Sequence, residues 1–450
     1  MRVHFIAIGG SAMHNLALAL HHKGFAVSGS DDAIFEPSKS RLQNYELLPV
    51  EMGWFPDKIT SDLDAVILGM HAKIDNPELV KAQEIGLKIY SYPEFLYEQS
   101  KEKTRVVIGG SHGKTTITSM ILHVLHYHSR TVDYMIGAQL PGLETMVHLT
   151  DENDFILLEG DEYLSSPIDR RPKFHLYQPN IALISGIAWD HVNVFPTYEN
   201  YVEQFETFAE SISRGGILVY NEDDAEVKRI AEAAQAPTRK HSYTLPEYSI
   251  ENGETLLNTP DGPMPISVFG EHNLSNLAGA KWICQHMGID EDDFYEAIAG
   301  FEGAAKRLEK IGETAINIAY KDFAHSPSKV KATTDAVKNQ YPNKRLVACL
   351  ELHTYSSLNA EFIKGYKGAL DAAEDAVVFY SPEAVAIKQL ETITKVQIAS
   401  AFDREDLIIY TDPTEFKSYL ENTAFNDTVL LLMSSGNYGG LDFSKIQDLL

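Results

Sequence analysis

The stretch Val106-Val107-Ile108-Gly109-Gly110-Ser111-His112-Gly113-Lys114-Thr115-Thr116 runs from an apolar strand pattern through a glycine turn into a Lys-Thr pair. Beyond it Ile117, Met120, Ile121, Val124 and Leu125 recur at i, i+3, i+4, i+7 and i+8, the stripe of an amphipathic helix. Strand, turn and helix in that order cradle nucleotide phosphates. Glycines let N–H groups approach phosphate oxygens, and the helix N-terminus adds its dipole. Lys114 reaches the β/γ-phosphates and the Thr115 hydroxyl holds Mg²⁺. Gly110, Ser111, His112, Gly113, Lys114, Thr115 and Thr116 are therefore the expected ATP-binding turn. The common G-x-x-x-x-G-K-[ST] spacing is not met, because Ile108 stands five residues before Gly113; the tighter Gly110-x-x-Gly113-Lys114-Thr115 is present. A glycine-rich strand–helix turn with a surface lysine is the competing reading.

Working outward, strands are expected at 154–158, 181–185 and 217–220, separated by helical runs, which predicts a mainly parallel sheet with ligands at the carboxyl ends of its strands. Glu159-Gly160-Asp161-Glu162 follows one of these strands and Trp189-Asp190-His191 another. A hard cation wants oxygen ligands, so Glu159 is the first candidate for the Mg²⁺ beside Thr115, with Asp161 and Glu162 behind it; the alternative is a solvated acidic loop. His191, with Asp190 beside it, is weighed against a structural histidine.

Upstream, a strand at 3–8, Gly9-Gly10-Ser11, a helix at 15–23, a strand at 26–30 and Asp31-Asp32 open a mononucleotide fold, continued by strands at 65–68 and 87–90. Ala7 and Ala12 stand where a G-x-G-x-x-G fingerprint has its outer glycines, which weakens a dinucleotide reading. Downstream, strands at 315–321, 345–350, 376–380, 407–410 and 429–433 predict a third open sheet, ending in Ser434-Ser435-Gly436-Asn437-Tyr438-Gly439-Gly440. The fold class is thus α/β with three domains: a Rossmann-like sheet over 1–102, a P-loop sheet over 103–305 and a second Rossmann-like sheet over 306–450. Asn273 and Asn276 sit at an expected helix start, where N-capping is the plain alternative. Arg307 lies at the second junction, where a guanidinium clamps a γ-phosphate on domain closure. Asp322 and His325 end the strand that opens the third segment.

With 450 residues, 44% of them hydrophobic, the chain exceeds one ordinary core. A net charge of −26 argues against nucleic acid or an anionic membrane as partner. The absence of a run of about 18 apolar residues or of a leader suggests a cytoplasmic protein. Cys284 and Cys349 lie in apolar stretches and read as reduced core thiols. His123, His126 and His128 follow the P-loop, but only the first pair shares a helix face, so they do not read as a metal site. No nucleophile signature is present.

Taken in order, Ile8-Gly9-Gly10 with Ser28-Gly29-Ser30-Asp31, Gly110 to Thr116, Glu159-Gly160-Asp161-Glu162-Tyr163, Asp190-His191, Gly270-Glu271-His272-Asn273 with Asn276, and Asp322-Phe323-Ala324-His325 resemble the Mur ligases. These enzymes couple ATP cleavage to amide-bond formation on cell-wall precursors. The resemblance spans the whole chain and implies a muramate-binding member. Phe35-Glu36-Pro37-Ser38, the run from Ile168 to Phe174, Asp190 to Phe195 and Ser434 to Gly440 favour the tripeptide L-alanyl-γ-D-glutamyl-meso-diaminopimelate as amine, in peptidoglycan recycling; L-alanine is the alternative. The resemblance further implies that Lys114 and Thr115 serve phosphate and Mg²⁺, Glu159 the same metal, His191 a second Mg²⁺, Asn276 the adenine, Arg307 the γ-phosphate and Asp322 the ribose. Lys114, His191 and Arg307 carry the catalytic roles. Gly9, Gly10, Ser11, Ser30 and Asp31 receive the uridine diphosphate of UDP-N-acetylmuramate.

Three departures from the family stand out. No lysine lies between His191 and Lys228 to be the carbamylated residue many members carry, Ser326 stands where relatives have a second histidine, and Ala7 and Ala12 replace glycines. Two other classes compete. A nicotinamide-dependent oxidoreductase would use the first segment, and a regulator would bind ATP without turnover.

Overall fold

A computed structural model describes residues 1–140, 142–304, 307–388, 390–391 and 393–450. Three sheets built mainly of parallel strands appear in chain order, most of their strands joined through helices. The first contains β1 (Arg2–Ile6), β2 (Ala26–Ser30), β3 (Ala65–Leu68) and β4 (Ile89–Ser91), ordered β2-β1-β3-β4 and wholly parallel. Around them lie α1 (Ser11–His22), α2 (Ser38–Asn44), α3 (Pro77–Glu84) and α4 (Tyr92–Ser100). The chain order reverses direction at β1, so the turn leaving β1 opens where such sheets bind ligands.

The second sheet is ordered β11-β10-β9-β5-β8-β6-β7, from β5 (Thr104–Gly109), β6 (Asp133–Met135), β7 (Val147–His148), β8 (Phe155–Glu159), β9 (Ile181–Ile184), β10 (Ile217–Asn221) and β11 (Arg239–Tyr243). Its helices are α5 (Lys114–Tyr127), α6 (Tyr198–Glu210) and α7 (Ala225–Ala233). β5 lies between β8 and β9 and is parallel to both. Val106, Val107 and Ile108 are fully buried, as an unbroken apolar run requires when helices cover both faces.

A small antiparallel sheet follows, of β12 (Tyr248–Glu251), β13 (Glu254–Thr259) and β14 (Gly262–Ile266), then α8 (Glu271–His286) and α9 (Glu291–Ile298). The last sheet is ordered β15-β16-β20-β17-β18-β19, from β15 (Glu309–Glu313), β16 (Ile318–Asp322), β17 (Arg345–Leu352), β18 (Asp375–Tyr380), β19 (Ile408–Tyr410) and β20 (Thr428–Met433), with α10 (Pro327–Gln340) packed against it. Side chains of β17 alternate between two cores. Leu346, Ala348, Leu350 and Leu352 join one face, and Val347 and Cys349 the other.

The three α/β sheets agree with expectation, and several bounds differ. The first helix begins at Ser11, four residues early, because Gly10 serves as its N-cap. β16 begins at Ile318, since Thr314 N–H bonds Asn317 O in a turn. β6, β7, β11, the antiparallel sheet and β15 are additions. The 102/103 boundary falls in the turn between α4 and β5, and the 305/306 boundary lies outside the described residues. By packing, the chain forms two compact units: Met1–Ile187 with Val202–Tyr243 and Trp282–Ile289, and Ala188–Tyr201 with Thr244–Lys281 and Asp290–Leu450. Among the described residues no helix is long and apolar enough to cross a membrane. Cys284 and Cys349 are buried free thiols, and burial raises the pKa of both.

Candidate functional site

In the first unit, the turn after β5 needs its glycines. Gly110 has φ +137°, and a Cβ there would stand 2.1 Å from Ser185 Oγ; Gly113 has φ +80°. As the N-cap of α5, Gly113 supplies no side-chain bond to the first-turn N–H groups, which lack intrahelical partners. Ser111 N–H is given to Gly186 O at 2.9 Å.

Beside this turn, Thr115 Oγ1 donates to Glu159 Oε1 at 2.7 Å, while Glu159 Oε2 accepts Gly137 N–H at 2.7 Å. A hydroxyl and a buried carboxylate in contact are hard oxygen donors of the kind that share Mg²⁺, so the pair fits that ion. Lys114 Nζ bonds Gly110 O at 2.5 Å and Glu162 at 2.8 Å. Burial alone would lower its pKa, but Glu162, Asp161 and Glu159 outweigh burial and raise it, so the ammonium stays charged. Asp161 bonds Lys173 at 2.6 Å; burial favours its neutral form, yet Lys173 and Lys114 hold it well below the usual carboxylate range. The result is a cationic end of a helix set among three carboxylates, where a phosphate chain can exchange with Glu162 for Lys114.

The turn after β1 is also in this unit and gathers all five residues expected to face the nucleotide sugar. Ala7 adopts φ +68°, the conformation that explains a glycine at this place in the resembled motif. Ala7 and Ile8 N–H groups go to Ser30 O at 2.9 and 3.1 Å, Gly9 N–H goes to Asp31 Oδ2 at 2.7 Å, and Ser11 opens α1. Lys58 Nζ reaches Ser30 Oγ at 3.2 Å. Burial, reinforced by Asp32, holds the Asp31 carboxyl above its ordinary range. The Gly9 amide thus faces a carboxylate.

In the second unit, His191 has φ +52°, in a turn closed by Val194 and Phe195 N–H groups on His191 O at 2.8 and 2.9 Å. Asp190 Oδ1 accepts His191 N–H at 2.7 Å and its Oδ2 meets Lys329 at 3.4 Å. Burial opposes ionisation of Asp190, but Lys329, His191 and His325 outweigh it and hold the pKa low. Burial and Lys329 push His325 down to about 4, leaving its imidazole neutral at pH 7. Arg307 lies over the Phe323 ring, 4.8 Å from its centroid. The Asp322 carboxylate accepts Leu308 N–H at 2.8 Å, Ala324 N–H at 2.7 Å and the Thr333 hydroxyl at 3.4 Å. It therefore pins the Arg307–Leu308 turn to the end of β16. Asn273 bonds Phe269 O at 2.9 Å, whereas the buried amide of Asn276 makes no side-chain hydrogen bond among the described residues.

Sequence reasoning missed Lys173 and Lys329, the cations that keep Asp161 and Asp190 ionised. Lys173 could have been found within the expected strand-end loop; Lys329 lies just inside the helix that Ser326-Pro327 announces.

Three family profiles match in order: "Mur ligase family, catalytic domain" over residues 2–104, "Mur ligase middle domain" over 108–284, and "Mur ligase, glutamate ligase domain" over 306–436. A UDP-N-acetylmuramate–L-alanine ligase of Carboxydothermus hydrogenoformans is 28% identical, covering 99% of this chain and 96% of its own. One of Levilactobacillus brevis is 30% identical over 78% of this chain and 77% of its own. The crystal structure of a murein peptide ligase from Psychrobacter arcticus shares the fold, with TM-score 0.66 at 20% identity, covering 100% of this chain and 97% of its own. The chain therefore belongs to the Mur ligase family and is an ATP-dependent amide ligase of peptidoglycan synthesis that forms ADP and phosphate.

Proposed function

We propose that the chain activates the carboxylate of UDP-N-acetylmuramate with ATP and joins an amine to it. The observation that carries this reading is the turn in which Lys114 and the Thr115–Glu159 pair stand at one helix start. A carboxylate oxygen attacks the γ-phosphorus, ADP departs, and the amine nitrogen then displaces phosphate from the acyl carbon. The first step brings two anions together, so fixed positive charge must offset their repulsion. Lys114 exchanges Glu162 for the β/γ-phosphates, and Arg307, already raised on Phe323, takes the γ-phosphate. Asn276 offers its amide to adenine, and Asp322 keeps one acceptor site for a ribose hydroxyl. Thr115 and Glu159 are the proposed ligands of one Mg²⁺ and His191 of a second; the ions would supply charge neutralisation when bound. The turns over 1–102 take the nucleotide sugar, the 103–305 segment ATP, and the 306–450 segment the amine.

The names of the sequence relatives favour L-alanine as that amine over the tripeptide expected from the sequence. The tripeptide remains as a second reading, favoured by the four stretches set out above. Of these, Ile168 to Phe174 forms a turn closed by Ser165 on Arg171 O at 2.6 Å and by Arg171 paired with Asp169 and Glu94. Phosphate release from ATP, Mg²⁺ and UDP-N-acetylmuramate is to be measured with L-alanine, with the tripeptide and with neither. Release stimulated by L-alanine supports the first reading, and release stimulated only by the tripeptide replaces it with the second. ATP binding without stimulated release by either would sink the ligase chemistry and leave a nucleotide-binding regulator.

A further inference from the structure

We propose that Arg41 binds the diphosphate of the nucleotide-sugar substrate. The inference rests on the reading that the turn after β1 receives UDP-N-acetylmuramate. That turn offers a diphosphate little by itself. Gly9 N–H is committed to Asp31, Ala7 and Ile8 N–H groups to Ser30 O, and Gly10 N–H points at Ala7 O at 3.5 Å. With the Gly9 amide given to a carboxylate, the turn leaves the phosphates the first-turn amides of α1, and a nearby cation would complete the site.

Arg41, on α2, is half-buried, and among the described residues its hydrogen-bond partners are two neutral amide oxygens: Asn15 Oδ1 at 3.4 Å from Nη1 and Gln139 Oε1 at 2.8 Å from Nη2. Asn15 in turn donates to Ser11 O at 2.8 Å, so the guanidinium stands one side chain away from the start of α1. His14, which hydrogen-bonds Gly10 O at 3.0 Å, senses its charge: burial chiefly, and Arg41 in addition, lower the His14 pKa. In a chain with 64 acidic and 38 basic residues, a half-buried arginine with no carboxylate partner among the described residues is placed to receive an anion. Gln139, in the loop after β6, and Asn15 fix the plane of the fork, and a planar fork matches paired phosphate oxygens. Lys58 is the rival cation, but it is exposed and delivers its charge to Gly29 O, Ser30 Oγ and the Phe55 ring.

Calorimetric titration of the full chain with UDP and with uridine separates phosphate recognition from recognition of the base and sugar. Wild type is expected to bind UDP at least about tenfold more tightly than uridine. Arg41→Gln should weaken UDP by about 10–100-fold while leaving uridine unchanged, as loss of a charged hydrogen-bonding group predicts. Gln139→Ala, which removes the strap and keeps the charge, should retain most of the preference for UDP. Arg41→Gln retaining that preference, Lys58→Ala abolishing it instead, or Arg41→Gln weakening UDP and uridine equally would each overturn the proposal. Wild type binding neither ligand would overturn the nucleotide-sugar reading itself, and a wild type binding both equally would overturn the proposal alone.

Discussion

The turns after β1 and β5 are built on one backbone plan and arrive at opposite electrostatics. Each leaves a parallel strand flanked on both sides, passes through a residue with positive φ (Ala7 at +68°, Gly113 at +80°), and enters a helix whose glycine N-cap gives no side-chain bond. In the first turn, amides are consumed by Ser30 O and by Asp31, a carboxylate that burial holds above its ordinary range. The second keeps a charged ammonium, Lys114, and its neighbouring carboxylate Asp161 is held far below that range by Lys173 and Lys114 against burial. A strand–turn–helix unit thus does not determine what it binds; the side chains that claim its amides do.

The largest effect should come from the second turn. Lys114→Ala is expected to reduce substrate-stimulated phosphate release by on the order of 10²–10³, the usual loss on removing one preorganised charge. It should also destabilise the unit by up to about 3–5 kcal/mol, because the buried Glu162 carboxylate, with its side chain 1% exposed, loses this ion pair. The double variant Lys114→Ala/Glu162→Gln separates the two: urea midpoints should recover most of the stability while release stays low. Release restored together with stability would mean that Lys114 is a structural cation.

Next in size is Gly113→Ala. A methyl at φ +80° costs about 1–2 kcal/mol, of which the freedom glycine loses from the unfolded chain returns about 0.5–1 kcal/mol. Equilibrium unfolding in urea should show that loss, with weaker ATP binding because the first turn of α5 shifts. An unchanged midpoint would show that the turn relaxes freely, and would remove the basis for a preorganised phosphate cradle.

How much of this could be read in advance follows from which signals are local. The three α/β sheets were legible, because apolar runs such as 106–108 and 429–433 must be covered on both faces. Thr115 with Glu159 was legible from the rule that ligand groups follow strand ends, applied to β5 and β8. The antiparallel sheet over 248–266 was missed although Asn252-Gly253 marks its first hairpin, with φ +53° and +80°; short strands with exposed alternate residues carry a weak apolar signal. Asp322 was legible as a strand-end carboxylate, but its occupation by Leu308 and Ala324 N–H groups depends on a chain reversal that no spacing reveals. Lys173, Lys329 and Arg41 were hidden for the same reason. A long cationic side chain meets its partner through tertiary geometry, and its neighbours in sequence say little about where the charge ends.

The smallest effect is expected at Ala7→Gly, where the first turn carries the same backbone burden as Gly113. Relief of the left-handed alanine gains about 1–2 kcal/mol. Against it stand the buried methyl, worth about 0.8 kcal/mol, and the extra backbone freedom of glycine in the unfolded chain, about 0.5–1 kcal/mol. Ala7 is 1% exposed, and a Cβ on Gly69 would lie 3.0 Å from its methyl, so that methyl is closely surrounded and its loss is felt. The three contributions cancel to within about 0.8 kcal/mol, so the urea midpoint should move little. This near-balance accounts for an alanine being tolerated in the first turn. A shift beyond about 1 kcal/mol in either direction would show that packing and strain are not matched at Ala7, and that the two turns differ in backbone as well as in charge.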